Sequence, residues 1–87
     1  MTAESAEILA LEGLGWLAGQ EESLGRFLQV SGLDPAGLRA AAASPGMALA
    51  VVEFLLANEP LLLAFCEATG TAPQAIQAAQ RKLEGLI

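Results

Sequence analysis

Apolar residues along this chain fall into six short runs, each bounded by residue types that start or stop helices. Thr2 is placed to cap a first helix, with Glu4 and Glu7 in its opening turn, where the helix dipole favours acids. This helix runs to about Ala18 and stops at Gly19. Leu11, Leu14 and Ala18 fall on one stripe of it and Leu9 and Trp16 on nearly the opposite one, so the pattern predicts packing on two sides. Gly13, Gly15 and Gly19 each cost roughly 0.5–1 kcal/mol against Ala inside a helix, which either the close approach of a neighbouring backbone or a fraying end accounts for.

Glu21, Glu22 and Ser23 open a second helix, and its Leu24, Phe27, Leu28 and Ser31 take the i, i+3, i+4, i+7 spacing of one buried face. Gly32 fits the left-handed position that closes a helix. Asp34-Pro35 starts a short third helix to about Ala43, a capping carboxylate followed by a proline at the first helical position, with Leu38 as its one large anchor. Ser44-Pro45 repeats the device for a fourth helix to about Ala57. Asn58 stops that helix, Glu59-Pro60 begins a fifth to about Thr69 ahead of Gly70, and Pro73 begins a sixth that carries Arg81 and Lys82 in its late turns.

The runs recur. Phe27, Gly32, Pro35 and Ala40-Ala41 return as Phe65, Gly70, Pro73 and Ala78-Ala79, an offset of 38 residues from 27 to 65. Residues 9–45 and 47–83 match at ten positions, where Ala and Leu abundance alone accounts for roughly four, and the Glu, Phe, Gly and Pro matches do not come from that bias. The pattern therefore predicts a single domain over residues 1–87, an all-α, compact orthogonal helical bundle built from two pseudo-repeats of three helices each. Two units are too few for a solenoid with both ends covered.

The copies differ in a consistent way. Gly13, Ala18, Ser23 and Gly25 correspond to Val51, Leu56, Leu61 and Leu63, so small or polar positions of unit one are large and apolar in unit two. Each such side chain left in water forgoes on the order of 1.5–3 kcal/mol. Unit two is thus expected to form the centre of the fold or to hold a subunit interface, with Leu56, Leu61 and Leu63 as the candidate interaction surface.

Composition narrows the functional classes. Hydrophobic residues make up 54% of the 87 and aromatics only 5%, so Ala and Leu, both helix formers, supply the apolar character. Four Lys and Arg against ten Asp and Glu give a net charge of −6. That balance repels phosphate backbones and anionic membrane surfaces, which argues against nucleic-acid and membrane partners. A single cysteine and an amino-terminal start without a basic region point to a reducing cytoplasm. The apolar window from Met47 to Ala68 is broken by Glu53 and by Asn58-Glu59-Pro60, too often to span a bilayer.

No catalytic constellation emerges. The chain has no histidine, which removes the usual neutral-pH general base and the commonest nitrogen ligand of metals. Cys66, opposite Leu28 in the repeat, reads as a small buried hydrophobe in preference to a nucleophile. Glu21, Glu22, Glu53 and Glu59 do not form the Glu and Glu-x-x-His pattern of di-metal bundles, so no metal or other cofactor is predicted. Glu53 stands within an apolar run and reads either as part of a solvated strip or as the partner of Arg39 in a structural ion pair. Trp16 reads as core before ligand platform.

Phe27-Leu28, Ser31-Gly32-Leu33-Asp34-Pro35 and Leu38-Arg39, followed by Val52, Phe54-Leu55-Leu56, Asn58-Glu59-Pro60-Leu61-Leu62, Phe65 and Pro73, together resemble a family of small bacterial proteins, chiefly alphaproteobacterial, known only as a domain of unknown function. The resemblance covers nearly the whole chain. It implies an all-helical fold in a bacterial cytoplasm and carries over no catalytic residue, cofactor or partner. On the residues themselves, the leading expectation is a non-catalytic interaction module, acting as a homodimer. The alternative is a small-molecule binder with an apolar pocket between helices.

Overall fold

The helix boundaries follow from the capping chemistry. In the computed structural model, which describes residues 1–41 and 44–86 without the side chains of Pro35 and Arg39, six helices run in order: α1 (Ala3–Ala18), α2 (Glu21–Ser31), α3 (Pro35–Ala41), α4 (Pro45–Ala57), α5 (Glu59–Thr69) and α6 (Pro73–Glu84). No strand occurs among the described residues. The Thr2 hydroxyl accepts from the Ser5 amide at 3.0 Å, the Asp34 carboxylate from the Gly37 amide at 2.7 Å, and the Ser44 hydroxyl from the Met47 amide at 3.1 Å. Each satisfies a donor that the first helical turn leaves free. Gly32 and Gly70 close α2 and α5 with φ of 73° and 72°, the left-handed region that disfavours any side chain. The expected end of the third helix near Ala43 lies outside the described residues.

Helix α4 is the centre. It buries Met47, Ala48, Val51, Val52, Phe54 and Leu55, and packs against α1, α6, α5 and α2. The apolar excess of unit two is therefore used largely inside the fold. Helices α4 and α5 meet at 109°, separated by Asn58, whose side-chain amide donates to the Phe54 carbonyl at 2.7 Å and closes α4. Two edge-to-face aromatic pairs tie the halves together, Trp16 on Phe65 with ring centroids 5.6 Å apart and Phe27 on Phe54 at 5.3 Å. The offset of 38 turns the residues of one pair into those of the other.

The packing of α1 departs from the two stripes read from its pattern. Its core face is Ala6, Ala10, Gly13 and Leu17, an i, i+4, i+7, i+11 stripe lying between them. Leu9, Leu14 and Trp16 flank this stripe half-buried, while Leu11 is 47% exposed and Ala18 faces solvent. The physical reason is spacing: a Cβ on Gly13 would sit 3.3 Å from both Leu55 Cδ1 and Val51 Cγ1, so α4 packs against a ridge of small residues. Gly13 thus accommodates neighbouring side chains, and the expectation of a neighbouring backbone is corrected. Gly15 has nothing within 4 Å of the position a Cβ would take. Gly15→Ala should accordingly stabilise the folded chain by about 0.5–1 kcal/mol, read from a urea titration.

Helix α5 is also less buried than an all-apolar reading suggests. It turns Leu62, Phe65 and Cys66 inward, leaving Leu63 half-exposed and Ala64 and Ala68 in solvent. Its sequence is apolar around most of its circumference, yet its core face occupies only one side.

Candidate functional site

Side chains of α2 and α4 together line an apolar concavity on the surface. Phe27 on α2 and Phe54 on α4 stack edge-to-face as its floor, while Val30 and Ser31 continue one wall and Ala50 and Ala57 the other. The groove encloses about 500 Å³, within the range of ligand and peptide sites. Val30 is 75% exposed, more than any other large apolar side chain among the described residues. Phe27 is buried on the inward side of α2, and Val30, one turn further along and about 60° around the helix, is exposed at the edge of the groove.

The rim carries one charge of each sign. Arg26 stands at the end nearest Asn58, with Nη1 3.5 Å from the Asn58 Oδ1, and its Nη2 lies 3.8 Å from Glu22 one turn back on α2. That ion pair is solvent-exposed and contributes at most about 1 kcal/mol. Glu53 is the acid of the opposite wall and is exposed. Its position is that of the solvated strip; the Arg39 side chain, and with it the Arg39–Glu53 pair, lies outside the described residues.

The other sequence-selected residues are dispersed. Leu56 and Leu61 are half-buried and pack against the core, whereas Leu63 is 50% exposed. Glu21, Glu22 and Glu59 are exposed, and no group of three or more potential metal ligands gathers among the described residues. Trp16 is half-buried with its edge against Phe65, as a core residue. Cys66 is 8% exposed, and burial pushes its thiol pKa up. Because the thiolate is the reactive form, Cys66 should react with a disulfide reagent at pH 8 more slowly than free cysteine, at a rate that rises on adding urea. Fast, urea-independent labelling would contradict its burial.

Val30 and Arg26 were not selected by pattern, although a signal existed. Under the offset of 38 they stand opposite Ala68 and Ala64, so on the second helix unit one is the larger, against the general trend.

Fold and surface together define a six-helix α-bundle with an apolar groove between two helices. Residues 3–86 match the family described as protein of unknown function, DUF3572, and the chain belongs to that family. No curated protein and no solved structure matches it. Among the described residues no single helix is long and apolar enough to cross a membrane.

Proposed function

We propose that this chain is a non-catalytic interaction module of the cytoplasm that pairs with a second copy of itself through the α2/α4 groove. The observation that carries the reading is Val30, an aliphatic side chain three-quarters exposed beside an apolar groove. In a twofold pair the same patch meets itself, so each Val30 enters the partner's groove and each Arg26 faces the partner's Glu53. A rim with one positive and one negative side chain is self-complementary under that symmetry, even though the chain as a whole carries −6. The chain has no histidine to serve as a neutral-pH general base, and its one thiol lies inside the core, which supports the non-catalytic reading. An unpaired thiol also suits a reducing compartment.

Sedimentation of Val30→Asp tests it. Burying Val is worth about 1.5–3 kcal/mol and each pair buries two, so Kd should rise at least about a hundredfold while the melting of the isolated chain is unchanged. Arg26→Glu should weaken pairing and the R26E/E53R exchange should restore it, because reciprocal contacts are exchanged along with the charges. Unchanged association in Val30→Asp would remove the groove from the interface. The volume of the groove favours one second reading, an apolar small molecule held on Phe27 and Phe54; a wild-type chain that stays monomeric and protects Val30 on adding such a compound would support it.

A further inference from the structure

Helix α1 is built inside out, with its small residues toward the core and larger aliphatics outside. Ala6, Ala10 and Gly13 face α4 and α6, while Ile8 and Leu11 are 49% and 47% exposed. At 100° per residue Ile8, Leu11, Gly15 and Ala18 form an outer stripe spaced i, i+3, i+7, i+10, the spacing of a coiled-coil seam. Gly15 has no neighbour within 4 Å and Ala18 is exposed, so this end of the stripe admits another helix at close range. Ile8 and Leu11 are not among the side chains packed against the core cluster, and about half of each lies in water. Helix α1 has no Lys or Arg. Glu7 and Glu12 border the stripe on its two sides and Glu4 stands at its amino-terminal end, and among the described residues none of the three has a cation within 4 Å.

We infer that the outer face of α1 docks an amphipathic helix of a different protein, one with basic residues flanking its apolar seam. Charge selects this occupant. Two copies of the α1 face brought together would set three uncompensated carboxylates against three, whereas a helix with Lys or Arg beside its apolar stripe would meet Glu7 and Glu12 on either side. The balanced rim of the α2/α4 groove and the wholly acidic border of α1 therefore suit different partners. The inference does not depend on the groove, which lies on other helices.

The test uses the intact chain and two synthetic helical peptides of about three heptads, both with Leu at the seam positions, one with Lys and one with Glu at the flanking positions. The Lys peptide is expected to bind, shifting the backbone amide resonances of Ile8, Leu11 and Gly15, and to weaken as salt is added. The Ile8→Ser/Leu11→Ser double variant, altered only at half-exposed positions, should remain folded by circular dichroism and bind the Lys peptide at least about tenfold more weakly. Equal binding by the double variant, equal binding of the Glu peptide, or resonance shifts confined to other helices would overturn the inference. So would a fall in the solution mass of the double variant, since the occupant of α1 would then be a second copy.

Discussion

Replacing Phe65 by Ala is expected to remove about 3–5 kcal/mol of folding stability. Phe65 is fully buried, and its ring meets the edge of Trp16 across the two halves of the chain. Truncation deletes the transfer contribution of a large aromatic and leaves a cavity between helices that cannot close without moving α1 or α5. Phe27→Ala, at 1% exposure and stacked on Phe54, should cost a similar amount. At about 0.05–0.15 kcal/mol per residue the whole domain has roughly 4–13 kcal/mol, so either variant should melt more than about 10 °C lower by circular dichroism or be unfolded outright. If both melted within a few degrees of the parent, these rings would not be the hinge of the core.

The second large effect lies on α1 and separates its two faces. Leu17→Ala should destabilise by about 2–5 kcal/mol, because Leu17 is fully buried at the end of the small-residue stripe. Leu11→Ala should change stability by less than about 1 kcal/mol, since nearly half of that side chain already lies in water. Urea titrations of the two variants under one condition decide the matter. Equal losses would mean that α1 buries the stripe containing Leu11 after all.

These two leucines also show what was legible in the sequence. Helix existence, order and boundaries could be read because they rest on local chemistry: Thr2, Asp34 and Ser44 cap, Pro35, Pro45 and Pro73 start, and Gly32 and Gly70 close. The central place of α4 followed from its apolar run. The inner face of α1 did not follow, because periodicity weights large side chains and this interface selects small ones. Ala6, Ala10 and Gly13 become core only when α4 approaches closely enough to exclude a Cβ at Gly13, a constraint set by helices far away in the chain.

The candidate surface was legible for a similar reason only in part. Leu56, Leu61 and Leu63 stood out because unit two is larger at those positions, and Leu56 and Leu61 use that size against the core. Val30 and Arg26 border the groove because α2 sits over α4, and a groove is a property of two helices together. Reading the repeat in the reverse direction, for positions where unit one is the larger, would have singled out both.

The solution mass of the wild-type chain, followed by light scattering behind a sizing column over a wide range of loading concentrations, tests the proposed pairing most directly. The proposed pairing predicts twice the chain mass at high concentration, falling toward the chain mass on dilution. A mass equal to one chain at every concentration would contradict it.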